Sequence, residues 1–181
     1  MRIYLRPINI DDASYIVKWR NSPSVMNHSF NKIPITIESH MAFYKANIET
    51  GKYKQFIVER IEEDFGVTSY PIATVYLKDM DKVNKRCELC IFTSNDEEWN
   101  TESQSIAIRM LLKKAFCEYQ MHKVYTYVFS ANEDEIALMN RAGLKEEALL
   151  RKEAVDIDGN FVDALRMSIL SDEYEDCTAN E

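Results

Sequence analysis

The chain has 181 residues, of which 46% are hydrophobic and 29% charged, and its formal net charge is −8 at pH 7. This length and composition indicate a globular protein with a substantial core. The acidic balance argues against a nucleic-acid-binding protein, which normally carries a basic face. No apolar run reaches the roughly 20 residues of a membrane span, and the first residues, MRIYLRPINIDD, lack the apolar stretch of a signal peptide. We therefore expect a cytoplasmic protein with no membrane or nucleic-acid partner.

Cys87 and Cys90 form a C-x-x-C pair, which invites a zinc or redox interpretation. The pair lies inside an apparent strand, RCELCIF, where side chains three positions apart point to opposite faces. No second pair of ligands accompanies it. We therefore predict no metal site and reduced thiols.

In the N-terminal half, runs of apolar residues are separated by residues that end helices and strands. The predicted elements are a strand at residues 3–6, helices at 11–21 and 37–50, and strands at 54–61, 72–77 and 86–93. Pro23 is expected to stop the first helix and Gly51 the second. A charged hairpin loop is expected at residues 78–85.

The C-terminal half has the clearer pattern. A main helix is predicted from Ser103 or Ser105 to about residue 119, because its apolar residues recur on one helical face. A dense strand follows at residues 123–130, and Asn132 caps a short helix at residues 133–142. Gly143 ends that helix, and the Asp158-Gly159 pair turns the last strand back on itself.

Strand, helix and strand between residues 86 and 130 imply one parallel strand pair with a right-handed crossover. The asparagine-capped helix, the glycine stop and the long hairpin complete an order of elements that resembles the Gcn5-related N-acetyltransferases (GNAT). The resemblance implies an α/β fold with a mixed, mostly antiparallel sheet of about seven strands, helices on both faces and a splayed central parallel pair. It covers residues 1–170 as a single domain, and residues 171–181 form an acidic C-terminal tail.

The resemblance implies acetyl-CoA as the co-substrate and no metal. In such enzymes the pantetheine arm enters between the two splayed strands, here along Ile91, Phe92 and Thr93. The pyrophosphate rests on amides at the start of the main helix. The segment expected there consists of Asn100, Thr101, Glu102, Ser103, Gln104 and Ser105. Asn132 matches an asparagine that usually contacts CoA, although an N-cap is an equally good interpretation.

Two positions depart from the family pattern. The pyrophosphate loop has none of the family's glycines and contains Asp96, Glu97, Glu98 and Glu102, which repel a phosphate unless they point away. Met139 stands where many relatives have a tyrosine that protonates the leaving thiolate. The loop therefore either binds CoA by a variant geometry, or the chain is a non-catalytic protein that kept the fold.

Glu88 is the candidate catalytic residue, because a carboxylate beside the acetyl group can take a proton from the attacking amine. The alternative is a solvent-facing strand glutamate. The N-terminal segment supplies the candidate substrate-binding residues, each of which has an ordinary structural role as its alternative: Trp19, Arg20, Asn21 and His28.

The segment KWRNSPSVMNHSF, followed by ITIESHMAFY, resembles enzymes that acetylate nucleotide-linked 4-amino sugars. Relatives that acetylate ribosomal proteins often lack the tyrosine at the position of Met139 as well. The resemblance thus implies direct acetyl transfer in a ternary complex to a small primary amine, with a nucleotide-linked amino sugar as the first expectation. A protein N-terminus or a polyamine is the alternative acceptor. A homodimer is also compatible with the resemblance, since dimers are common in such families.

Overall fold

The computed structural model describes residues 2–63, 66–91 and 93–174. Within these residues the strands are β1 (Ile3–Pro7), β2 (Lys54–Glu62), β3 (Thr68–Asp81), β4 (Arg86–Cys90), β5 (Lys123–Phe129), β6 (Lys145–Val155) and β7 (Phe161–Leu170). The α-helices are α1 (Ala13–Arg20), α2 (Pro23–His28), α3 (Ile37–Phe43), α4 (Thr101–Lys113) and α5 (Glu133–Arg141). Helices α3 and α4 each run on into a π-helical turn. No helix in the described part of the chain is both long and apolar enough to cross a membrane.

The described strands form one seven-stranded sheet in the order β1-β2-β3-β4-β5-β7-β6. Neighbouring strands are antiparallel except β4 and β5, which are parallel and are connected through α4. This arrangement confirms the predicted α/β fold class, including its single parallel pair.

Helices cover both faces of the sheet because side chains on β2 alternate between two apolar clusters. Phe56 and Val58 belong to the larger cluster, which includes the buried face of α4. Ile57 points the other way and packs with Ile16 and Trp19 of α1. The predicted apolar face of the main helix is confirmed, since Leu111 and its neighbours on that face are fully buried.

The parallel pair opens towards its carboxyl end. Strands β4 and β5 pair over three positions, the last of which joins Glu88 to Tyr125. Beyond that point β4 still pairs with β3 up to Cys90, and β5 still pairs with β7 up to Phe129. Each strand is therefore held on its outer side while its inner edge is released, which produces the splayed pair expected from the sequence.

Several element boundaries differ from the predictions. Pro23 begins helix α2 rather than only ending α1, because proline is well suited to the first position of a helix. Helix α4 begins at Thr101, since Asn100 caps it before either predicted serine. The predicted hairpin loop at residues 78–85 is half as long: β3 extends to Asp81, Lys78 pairs across the sheet with Glu88, and the turn is confined to residues 82–85.

The start of the predicted acidic tail is folded. Residues Ser171–Glu173 form a 3₁₀ turn, and the Tyr174 ring packs against Phe116 with the ring centroids 5.0 Å apart. Residues 175–181, the rest of the predicted tail, lie outside the described residues.

Candidate active site

A cavity of about 460 Å³ lies where β4 and β5 part. Strands β2 to β5 form its floor, helices α1 to α3 and the loops between them form one wall, and the start of α5 adds a further side. The carboxyl ends of parallel strands lie at the same edge of a sheet. Thr93, just beyond β4, and the first turn of α5, just beyond β5, therefore meet at this opening.

Glu88 faces this cavity and is 8% exposed. Alternation along β4 sends Cys87 and Leu89 into the core and leaves Glu88 with Cys90 on the cavity side. Lys78 Nζ lies 3.0 Å from Glu88 Oε1, and the Cys90 thiol donates to the same oxygen at 3.4 Å. Burial raises the pKa of Glu88, while the Lys78 ammonium opposes that rise. The glutamate is thus a buried, cavity-facing group rather than a solvent-facing strand residue.

The C-x-x-C cysteines lie on opposite faces, as the strand pattern predicts. Burial raises the pKa of Cys87 to about 12. It also raises the pKa of Cys90 well above its ordinary value. Both groups therefore remain thiols near neutral pH, and neither has the thiolate character that a nucleophilic cysteine needs.

The predicted pantetheine track lies partly on this cavity. Ile91 and Thr93 line it and are 1% and 2% exposed. Thr93 Oγ1 is buried without a hydrogen-bond partner among the described residues, which leaves a polar atom for a ligand to satisfy. Phe92, the third residue of that track, lies outside the described residues.

Asn132 caps α5 and also reaches two cavity-lining side chains. Its Oδ1 accepts from the backbone N–H of Glu135 at 3.3 Å. Its Nδ2 donates to Glu135 Oε2 at 2.8 Å and lies 3.2 Å from His28 Nδ1. Capping α5 and contacting a bound molecule, the two roles considered for Asn132, are thus compatible, because its amide group lies at the rim of the cavity while it caps the helix.

Glu135 was not anticipated from the sequence. It is 6% exposed and lines the cavity, and burial raises its pKa to about 8 although the hydrogen bond from Asn132 acts in the opposite direction. The sequence spacing does predict its burial, because Glu135 precedes Leu138 and Met139 by three and four positions and so lies on the apolar face of α5.

The start of α4 does not offer the glycine cradle of the family. Asn100 Oδ1 already accepts from the backbone N–H groups of Glu102 and Ser103, at 3.0 and 3.3 Å. Ser103 is fully buried, and its hydroxyl oxygen lies 2.7 Å from the carbonyl oxygen of Glu98 and 2.9 Å from that of Asn100, so its one hydrogen has an acceptor within the helix start. The Gln104 amide donates to the Trp99 carbonyl.

Of the six residues predicted to hold the pyrophosphate, three remain on the surface: Asn100, Thr101 and Glu102. Ser105 is partly buried and, like the others, lies outside the cavity lining. Residues 94–105 contain no lysine or arginine. The strand gap therefore offers a released backbone edge, whereas the start of α4 offers capped amides and nearby carboxylates.

Of the four N-terminal residues predicted to bind the substrate, two line the cavity and two do not. Arg20 and His28 line the cavity, and the Arg20 guanidinium donates to Ser29 Oγ at 2.9 Å. Trp19 is 2% exposed and belongs to the core under α1, which corrects its assignment as a substrate-binding residue. Asn21 exchanges two hydrogen bonds with the backbone of Ile35, so it positions the loop and does not face the cavity.

His40 of α3 also lines the cavity. It is 4% exposed, and its Nε2 has no hydrogen-bond partner among the described residues. Burial lowers the pKa of His40, and the Asp12 carboxylate opposes this change. A neutral imidazole with an open nitrogen is therefore available to a bound molecule.

Residues 2–145 match the family model described as an acetyltransferase (GNAT) domain. The chain belongs to this acetyltransferase family. The predicted superfamily and the prediction of an N-acetyltransferase are thereby confirmed.

Two similar proteins within the GNAT family are spermidine N(1)-acetyltransferases. The protein from Escherichia coli (strain K12) is 25% identical over 172 residues, which cover 95% of this chain and 88% of that protein. The protein from Vibrio cholerae is 22% identical over 173 residues, covering 96% and 95%. Both relatives are named for the acetylation of spermidine, a polyamine, and neither is named for an amino sugar.

Two solved structures of spermidine N-acetyltransferase share the fold of this chain. Spermidine N-acetyltransferase from Vibrio cholerae in complex with CoA and spermine superposes with a TM-score of 0.84 at 22% identity, covering 95% of this chain and 97% of that one. A dodecameric structure of the Vibrio cholerae enzyme in an intermediate state gives a TM-score of 0.79 at 22% identity, covering 97% and 98%.

Proposed function

We propose that this GNAT-family protein transfers the acetyl group of acetyl-CoA to a primary amine of a small molecule, in the cavity between β4 and β5. The observation that carries this proposal is the position of Glu88. It is a buried carboxylate that faces the cavity at the strand where the parallel pair opens. A thioester entering through that gap and an amine entering from the α1–α3 side meet beside it.

The residues around the gap perform three tasks in this proposal. The released edge of β4, with Ile91 and Thr93, binds and orients the thioester arm. Glu88 takes the proton that the amine nitrogen loses as the amide forms, and the Lys78 ammonium favours the ionised form of Glu88 before that step. Because Cys90 remains a thiol, the amine attacks directly and no acyl-enzyme forms.

A polyamine is the acceptor that we propose first. The similar proteins named above are spermidine acetyltransferases that align over nearly the whole chain. The net charge of −8 attracts a polycation at long range. The Glu88 carboxyl group also lines the cavity itself.

One observation favours a second acceptor class, an amine that also carries an anionic group such as a nucleotide-linked amino sugar. Arg20 lines the cavity and has no carboxylate partner among the described residues. A guanidinium in this setting suits a phosphate or a carboxylate of the acceptor.

The substitution Arg20→Met separates the two acceptor classes. Acetyl transfer would be measured by release of the CoA thiol and by the mass of the product, with spermidine, spermine, a nucleotide-linked amino sugar and an N-terminal peptide. For a polyamine, removing a like charge should lower KM by about threefold or more. For an anionic acceptor, KM should rise by at least a similar factor. Lys18→Met, an exposed position on the same helix, is the matched control.

We further propose that the protein self-associates. The hairpin of β6 and β7 exposes several large apolar side chains, namely Leu149, Val155, Ile157 and Phe161. Exposed apolar surface of this kind is typical of protein–protein contacts. Light scattering after size-exclusion chromatography would give the mass in solution, and a monomer at all concentrations would contradict the proposal.

A further inference from the structure

Acetyl transfer from a thioester requires a proton for the sulfur that leaves as well as a base for the amine. Met139 has no proton to donate, is fully buried and is not part of the cavity lining. The carboxyl group of Glu135, one helical turn before Met139 on the same face of α5, does line the cavity. The acidic side chain of α5 that reaches the cavity thus lies one turn before Met139, which does not reach it.

We propose that Glu135 is the catalytic acid of the reaction, which donates a proton to the departing thiolate. This inference rests on the proposed function. As the amine nitrogen bonds to the acetyl carbon, the carbon–sulfur bond breaks and its electron pair stays on sulfur. The proton of Glu135 moves to that sulfur, and the proton lost by the nitrogen moves to Glu88. A later transfer through water from Glu88 to Glu135 restores both carboxyl groups.

The placement of Glu135 supports this role. Helix α5 follows β5 after three residues, so its first turn lies at the edge where β5 leaves β4. Asn132 fixes the carboxyl orientation by donating to Oε2 at 2.8 Å. Glu133 and Asp134, the other carboxylates of that turn, are exposed and outside the cavity lining. Among these three acids, Glu135 alone is sequestered with the reacting groups.

The pKa of Glu135 also suits the donation of a proton to the departing thiolate. Burial raises the pKa of Glu135 to about 8, so the group is protonated near neutral pH. An alkyl thiol such as that of cysteine has a pKa of about 8.5, and proton transfer is most efficient between groups of similar pKa. An ordinary surface glutamate is ionised at neutral pH and has no proton to give.

Other titratable groups line the same cavity. From the helical wall these are Arg20, His28 and His40, and from β3 and β4 they are Lys78, Glu88 and Cys90. Three tyrosines complete the set: Tyr53, Tyr76 and Tyr127. Burial moves the pKa of His40 below 6.5 and the pKa values of Cys90 and Tyr76 well above 9 and 10. A loss of activity near pH 8 is assigned to Glu135 if it disappears when that carboxyl group is replaced.

The test is the pH profile of kcat for the full-length protein and for Glu135→Gln, with acetyl-CoA and the best acceptor of the panel. Wild-type kcat should fall as the pH rises through about 8, because the acid is then ionised. In Glu135→Gln, kcat should be lower by about a hundredfold or more at neutral pH, the fall near pH 8 should vanish, and both KM values should change little. Glu133→Gln, an exposed position in the same turn, should behave as wild type.

Glu135→Asp keeps a carboxyl group one methylene shorter and should retain more activity than Glu135→Gln, together with a fall at alkaline pH. It also provides the readout if Glu135→Gln does not fold. A Glu135→Gln enzyme with wild-type kcat and an unchanged alkaline fall would overturn the assignment, as would a change confined to KM. The proposed function itself fails separately, if the wild-type protein acetylates no amine in the panel.

Discussion

Asn132 Nδ2 lies 3.2 Å from His28 Nδ1, although the two residues are 104 positions apart in the chain. The second hydrogen of the same amide is donated to Glu135 Oε2. Since the amide nitrogen can only donate, His28 Nδ1 accepts and its proton is placed on Nε2. One asparagine therefore connects the loop side of the cavity to the helix that bears the proposed acid.

The substitution Asn132→Asp should separate the cap of α5 from this connection. Aspartate caps a helix as well as asparagine does, so the melting temperature should remain close to wild type. The donor to His28 and Glu135 is lost and a negative charge takes its place, which raises the pKa of Glu135 and lowers kcat. Thermal melts and steady-state kinetics would measure both effects. Asn132→Ala should lower kcat too, and should cost about 1 kcal/mol of stability.

Removal of Lys78 should change the pH dependence of the reaction in a defined direction. The Lys78 ammonium opposes the burial that raises the pKa of Glu88. In Lys78→Met that pKa rises further, so the acid limb of kcat/KM, where the base becomes protonated, should move to higher pH. Lys145→Met, which removes a surface ion pair with Glu173, is the control and should leave the limb in place. An unshifted limb in Lys78→Met would exclude Glu88 as the base.

The fold could be predicted from the sequence because its signals are local. The cap at Asn132, the stop at Gly143 and the turn at Asp158-Gly159 each act within a few residues, and Gly143 and Gly159 adopt the positive φ that these positions require. Helix α2 was missed because Pro23 both ends one helix and begins the next.

The site was harder to predict because its members come from distant elements. Arg20, His28 and Glu88 were anticipated from the sequence and do line one cavity. His40 and Glu135 were not, because each lies on a helix where its local sequence has an ordinary explanation. Burial decides their chemistry, and burial depends on how β5 and α5 pack against the N-terminal helices.

Glu135 should make the stability of the protein depend on pH. Its pKa is about 8 in the folded protein and near 4.5 in the unfolded chain, so the folded state holds one more proton between these values. Wild-type stability should therefore fall relative to Glu135→Gln by about 1.4 kcal/mol per pH unit within that window. Chemical denaturation at pH 5, 6, 7 and 8 would measure this difference. A constant difference would mean that Glu135 is ionised in the folded protein.

The carboxylates before α4 should weaken binding of the phosphate end of acetyl-CoA. Glu97 is exposed in this glycine-free segment. In Glu97→Lys, KM for acetyl-CoA should fall by about threefold or more at low salt, and the gain should fade as salt screens the charges. KM for acetyl-pantetheine, which has no pyrophosphate, should not change. Glu146→Lys, on the surface of β6, is the control. Equal changes for both thioesters would place the phosphates elsewhere.

The most direct test of the active-site assignment is to measure acetyl transfer to spermidine by wild type and by Glu88→Gln. The readouts are the release of the CoA thiol and the mass of the product. We predict turnover by wild type and a loss of about a hundredfold or more in kcat for Glu88→Gln, with the fold retained in its circular dichroism spectrum. Equal kcat values for the two proteins would contradict the assignment of the β4–β5 cavity as the site of transfer. The absence of turnover with every amine of the panel would contradict the proposed activity itself.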